Sequence, residues 1–234
     1  DIMEMIKSGI EKSMSGAKVV IDQITYHAQV QYNNASIKIE PNTVIRGTLL
    51  TPVEMSLSPS LVKEFNREMN ITCVAKAELY AGKLCAALQR QHPRDLFDML
   101  LFLTKDEGLT RNIIDAFIVY LISQGKPIHE MLNPNMHDIT HLYHEQFQGM
   151  AVFDVSLESL YEVQVSLPRN ILNVLTERDR TFLISFKNRK PDWSLQCFQN
   201  AEELPAVRWK QVNLEKMDDE KHQLAVEKLT QVLG

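Results

Sequence analysis

Lys83, Arg90, Arg94, Asp95 and Asp98 crowd into AELYAGKLCAALQRQHPRDLFDMLLFL, residues 77–103. Lys83 and Arg90 stand seven apart, and so on one face of a helix. Beyond Pro93, Asp95 and Asp98 are spaced i,i+3 and also share a face, while Arg94 and Asp98 at i,i+4 offer a local ion pair. Lysine and arginine bind phosphate oxygens, and a neighbouring carboxylate can orient a base or a metal-bound water. The set therefore suits a nucleotide or another polyanion. The same residues suit a buried salt-bridge network that locks two helices, which is the commoner use of such charges. Spacing alone leaves both readings open. Gly82, Ala86 and Ala87 are small enough to admit another backbone or a ligand, and Leu79, Leu84 and Leu88 supply an apolar side.

Other candidates are weaker. Glu40 closes a strand and faces the same way as Lys38. It could be one of several oxygen ligands to a hard cation such as Mg²⁺, although a carboxylate there is more often simply solvated. His137, His141 and His144 are spaced i, i+4, i+7 beside Glu145. Two histidines at i,i+4 can bind Zn²⁺, but HExxH is absent and a polar helix face is the simpler account. Trp193 and Trp209, with Leu195 and Leu204, read as packing anchors. The sequence has no Walker loop, GxSxG elbow or dinucleotide fingerprint.

The elements that must position these residues are legible in outline. Met3, Ile6, Ile10 and Met14 mark one face of a helix over 3–14, ended by Ser15-Gly16. Strands are expected at 17–24, 26–32 and 36–40, with an Asn33-Asn34 turn and a stop at Pro41-Asn42. Residues 41–60 hold three prolines and Gly47 and read as a long loop. From Leu61 the pattern is helical, apart from a short strand at 71–74. A helix over 76–91 precedes His92, which Pro93 biases away from helix; Pro93 then opens a helix reaching about Lys105. Further helices are expected near 110–124, 127–132, 136–148, 156–166, 168–188 and 218–233, with 204–214 less regular. The last has Asp218, Asp219 and Glu220 at its start, which favours the helix dipole, and an apolar face of Leu224, Leu229, Val232 and Leu233. The fold class is α+β: a partial mixed sheet in an α/β lobe over 1–60, then a mainly helical domain over 61–234.

Composition bounds the function. At 234 residues, 44% hydrophobic and 24% charged, the chain can bury a core. A net charge of −5 excludes bulk electrostatic binding of nucleic acid, so any phosphate contact must come from a local cluster. Three cysteines without CxxC spacing read as reduced thiols in a cytoplasmic protein, with Cys85 facing a core. Neither an 18-residue apolar run nor a signal-peptide pattern is present, so no membrane association is expected.

IKIEPN at 37–42, followed by AELYAGKLCAALQRQHPRDLFDML at 77–100 and PDWSL at 191–195, resembles the AbiEii/AbiGii-type nucleotidyltransferase toxin family of bacteria. The likeness is nearest to members that carry AAL-x-R-x-x-PRDLFD, and it runs over nearly the whole chain. It implies a polymerase-β-like nucleotidyltransferase fold. Matched by motif, it implies Glu40 as a metal carboxylate and Lys83 as the phosphate-binding lysine. Asp95 or Asp98 would be the functional acid, and Lys38, Arg90 and Arg94 would serve the nucleotide. The implied reaction moves a nucleotidyl group from an NTP to an acceptor, RNA or tRNA, with two Mg²⁺ ions stabilising the attacking and leaving oxygens. The implied setting is a toxin–antitoxin pair or phage defence, with an antitoxin protein as partner. The chain departs from the family in its first motif. No Gly-Ser precedes the KIE strand, and the only aspartates in residues 1–36 are Asp1 and Asp22, with no Asp-x-Asp. That motif is expected upstream of Asp1, and this chain, as a fragment with Glu40 alone, is expected to bind Mg²⁺ poorly and not to turn over.

Two readings from other classes compete with it. One is a non-catalytic interaction module that keeps the helical scaffold to bind an antitoxin or another protein. The other is a metal-dependent hydrolase built on the face of His137, His141 and His144.

Overall fold

The computed structural model describes residues 2–41, 45, 47–105, 108–198 and 200–234. Asn42, expected with Pro41 to stop the third strand, lies outside them. The chain divides into two compact units, Asp1–Thr43 and Val44–Gly234.

In the first unit α1 (Ile2–Ser13) precedes β1 (Lys18–Asp22), β2 (His27–Tyr32) and β3 (Ala35–Ile39). The three strands pair in the order β1-β2-β3, with Val19 opposite Val30 and Val30 opposite Ile37. Every pairing is antiparallel, where a mixed sheet was expected. The connections are the reason: a parallel neighbour needs a crossover of a dozen residues or so, and these turns are far shorter. Asp22 Oδ1 accepts from the N–H groups of Ile24 and Thr25, and Asn33 turns at φ 51. The core is small: Met3, Val19, Ala28 and Val30, with Ile6, Ile10, Ile21 and Ile39 packed around them. The apolar face of α1 thus closes one side of the sheet. Met14 falls beyond the helix and is exposed.

The second unit opens with a two-stranded antiparallel sheet, β4 (Val53–Ser56) and β5 (Asn70–Cys73), around α2 (Pro59–Phe65). β4 lies inside the expected loop over 41–60. Four residues between prolines carry too little alternation to announce a strand, and their partner comes from well along the chain: Ser56 pairs Asn70 at one end and Val53 pairs Cys73 at the other. Nine more helices follow among the described residues. They are α3 (Lys76–Arg90), α4 (Pro93–Lys105), α5 (Arg111–Ile122), α6 (Ile128–Leu132), α7 (Thr140–Gln146), α8 (Leu157–Val174), α9 (Glu177–Lys187), α10 (Pro205–Glu215) and α11 (Asp219–Leu233).

α5 sits at the centre. From Ile113 to Ile122 all but Asp115 are buried, which is the signature of a helix surrounded by others. α3 packs on it with Gly82 against the Tyr120 ring, where a Cβ would stand 3.5 Å from the nearest ring carbon. The break expected at Pro168 is absent: α8 continues through it and ends at Val174, with Leu175 as its C-cap. The true boundary is a capping box, in which the Thr176 hydroxyl accepts from the Asp179 N–H and Asp179 accepts from the Thr176 N–H. Residues 204–214, expected to be less regular, fall within α10 but for Leu204, its N-cap, and Pro205 sits in the first turn. Trp193 packs against Phe182 and Phe186, at 5.4 and 6.2 Å between ring centroids. Trp209 is no anchor, being 63% exposed on α10. Cys85 is buried as expected. Among the described residues no helix is long and apolar enough to cross a membrane.

Candidate functional site

The α3–α4 hairpin carries the site. Its turn is made by Gln91, held at φ 50 with its N–H donating to Ala87 O. His92 is non-helical and its Nδ1 accepts from the Arg94 N–H, standing in for a cap at the start of α4. Pro93 follows in the first turn, where its missing N–H costs nothing. This geometry folds the two motif helices side by side, so that charges separate in sequence meet.

They meet in two pairs. Lys83 Nζ donates to Asp98 Oδ2 at 2.6 Å, joining α3 to α4. Arg90 grips Asp95 with both arms, Nε to Oδ2 at 2.9 Å and Nη2 to Oδ1 at 2.6 Å. Asp95 is buried, which makes this bidentate pair the firmer of the two. The i,i+4 pair of Arg94 with Asp98 does not form; Asp98 turns to α3 instead, and among the described residues Arg94 makes no ion pair. All five side chains line one cavity of about 570 Å³, with His92 beside them and Phe97, Phe147 and Met150 opposite in character. The volume falls within the range of small-ligand sites.

Lys38 and Glu40 belong to the first unit. Lys38 Nζ forms an ion pair with Glu40, on the shared face expected from the strand. The hydrogen bond and charge of Lys38 hold the exposed Glu40 carboxyl below the usual carboxylate range. Among the described residues no group of three or more His, Cys, Asp or Glu side chains is placed to hold a metal ion.

The three histidines do not share a helix. α7 begins only at Thr140, so His137 precedes it, with its N–H donated to Gln91 Oε1. His141 pairs with Glu145, and His144 with Gln148, both within their own turn.

Two residues that hold the site had no strong sequence signal. Glu78, 1% exposed, accepts from the backbone N–H of Leu49 at 2.8 Å and of Leu50 at 2.9 Å, and from the Tyr120 hydroxyl at 3.1 Å. It ties an incoming loop to α3 and α5, and burial followed by the Glu78 charge pushes the Tyr120 phenol up. Its only trace is a carboxylate within the apolar stripe of Ala77, Ala81 and Leu84. Gln91, also buried, donates to Asn135 O and accepts from His137 N–H and from the Gln164 amide. Its partners come from segments that no local pattern connects.

A family model described as Nucleotidyl transferase AbiEii toxin, Type IV TA system, matches residues 4–196. Neither a curated protein nor a solved structure matches the chain. With more than half of its residues matched, and the Lys83, Arg90 and Pro93-Arg94-Asp95 motif gathered on one helical hairpin, the chain belongs to the AbiEii nucleotidyltransferase toxin family of the type IV toxin–antitoxin class.

Proposed function

We propose that the full-length protein, and not residues 1–234 alone, transfers a nucleotidyl group from an NTP to an RNA acceptor such as tRNA, as the toxin of a toxin–antitoxin or phage-defence system in the bacterial cytoplasm, opposed by an antitoxin protein. The observation that carries this reading is the set of three cations, Lys83, Arg90 and Arg94, on the wall of one cavity. Set against the carboxylates of Asp95 and Asp98, the three cations leave the lining net positive, with Arg94 outside both ion pairs, which favours an anionic ligand such as a polyphosphate. Arg90 is fixed in place by Asp95, both of whose oxygens are used in doing so. Asp95 is then a positioning residue. Asp98 uses only Oδ2 on Lys83 and keeps Oδ1 to accept a proton or a hydroxyl hydrogen bond, which favours Asp98 as the functional acid.

Mg²⁺ enters this reading through Glu40, with Lys38 assisting the nucleotide. The described residues do not fit the ion well, because Glu40 is held by Lys38 and no further carboxylates join it among them.

Incubating the full-length protein with each α-labelled NTP, Mg²⁺ and total RNA tests the proposal, residues 1–234 with Glu40 alone being expected to transfer none. Label should pass into RNA, and Lys83→Ala should abolish most of it. The second reading, a non-catalytic interaction module, draws on the two ion pairs, which would brace α3 against α4 whether or not a nucleotide binds. Unchanged transfer by Lys83→Ala, or no nucleotide binding with intact capture of the antitoxin, would favour it.

A further inference from the structure

The cavity is lined by two unlike sets of residues. One is charged: Lys83, Arg90 and Arg94 against Asp95 and Asp98. The other is formed by Phe97, Phe147, Met150 and Ala151, none of which carries a polar side chain able to read a base edge. Phe97 is held by two other rings. Its ring lies 5.4 Å from that of Phe147 and 5.8 Å from that of Phe153, tilted by 55° and 52°. Lys105 Nζ in turn covers the Phe153 ring at 4.7 Å. An aromatic platform held this way loses little freedom when something stacks on it.

The segment beside the platform is apolar where a solvent-facing turn would ordinarily be polar. Met150 is 64% exposed and Val152 wholly so, just after Gly149 at φ 79. Exposed apolar groups on a cavity rim gain burial only when a flat or apolar ligand part enters.

We infer that the apolar half is a nucleobase shelf: the base of the NTP lies between the Phe97 ring and the Met150 thioether, while its phosphates lie on Lys83, Arg90 and Arg94. This rests on the nucleotidyltransferase reading and deepens it. Because Phe97, Phe147, Met150 and Ala151 hold the base by its faces and carry no side-chain donor or acceptor for its edge, the shelf binds all four ribonucleotides with similar affinity. Stacking tolerates any base, since every base has a π-face.

The test uses the whole chain with ¹³C-methyl methionine, the Met150 signal being assigned by Met150→Leu. ATP, GTP, CTP, UTP and inorganic tripolyphosphate are titrated separately. Every NTP should move the Met150 methyl through the ring current of its base, and tripolyphosphate should bind without that shift. Phe97→Leu should weaken each NTP about tenfold and leave tripolyphosphate unchanged. Met150→Ala, at an exposed position that folding does not need, should weaken the NTPs several-fold and serves if Phe97→Leu does not fold. Tripolyphosphate binding as tightly as the NTPs, or a preference above about fiftyfold for one base, overturns the shelf while keeping the phosphate site. Failure of both tripolyphosphate and the NTPs to bind overturns the nucleotide reading itself.

Discussion

Lys83 Nζ and Asp98 Oδ2 lie 2.6 Å apart across the α3–α4 hairpin, fifteen residues apart in the chain. The pair is both a brace and a store of charge beside the cavity. Each side chain is roughly two-fifths exposed, so the brace is worth about 1 kcal/mol or less to stability. A double-mutant cycle on Lys83→Ala and Asp98→Asn, read by urea unfolding, should return a coupling of that size. Nucleotide binding should separate the two residues. Lys83→Ala is expected to weaken NTP binding about tenfold, and Asp98→Asn to leave it equal or tighter, since it frees the ammonium. In the transfer assay Lys83→Ala should cost about 10²–10³ in rate, the usual loss for one preorganised charge contact to a reacting oxygen. Equal losses of NTP affinity in both variants would mark the pair as a structural unit.

Glu78 should be the most sensitive polar position outside the cavity. Glu78→Ala strands the Leu49 and Leu50 N–H groups and the Tyr120 hydroxyl without their acceptor. Leaving such donors unsatisfied in a buried place costs about 2–4 kcal/mol in all. The midpoint of urea unfolding should fall accordingly, while Glu78→Gln, which keeps an acceptor, should recover part of it. A loss under about 0.5 kcal/mol would show that water replaces the carboxylate freely.

Lys210 gives the fold a pH dependence in the alkaline range. Its ammonium donates to Gln124 O at 2.5 Å, at the carboxyl end of α5, and burial, with the charge of Lys187 next, brings its pKa down to about 8. The folded state therefore holds fewer protons than the unfolded state between about pH 8 and the ordinary lysine value of 10.5. Stability from this group is at its lowest below pH 8 and rises as pH climbs through that window. Compared with Lys210→Met, which does not titrate there, the wild-type chain should gain on the order of 1–3 kcal/mol between pH 8 and 10.5. Urea unfolding of both proteins at pH 8, 9 and 10 reads this directly, and a constant gap would show that Lys210 keeps an ordinary pKa.

Pro168 lies inside an 18-residue helix, where it removes one backbone hydrogen bond. Pro168→Ala should restore that bond and raise stability by about 1–3 kcal/mol, less whatever packing the ring supplies. Thermal unfolding should show a higher midpoint. A lower one would mean that the buried ring matters more than the missing bond.

What the sequence determined by itself was local. The face of α1, the three strands of the first unit, the helix break at His92-Pro93 and the separate faces of Lys83 with Arg90 and of Asp95 with Asp98 all follow from periodicity and from proline geometry within a few residues. The family, too, was legible there, because its motif is compact. The tertiary structure decided who pairs with whom. Asp98 had a partner in reach at Arg94, yet it pairs with Lys83, because the hairpin packs α3 alongside α4 and a contact between helices outcompetes a solvated one on the same helix. β4 exists only because β5 returns to it, and α8 passes through Pro168 because a buried face fixes the helix on both sides of it. Glu78 and Gln91 looked like ordinary polar residues on helices; only packing turned them into acceptors and donors for distant backbone. The apolar lining that joins the cations is likewise a product of packing, since Phe97 and Met150 come from separate elements and meet at a cavity that no stretch of sequence describes.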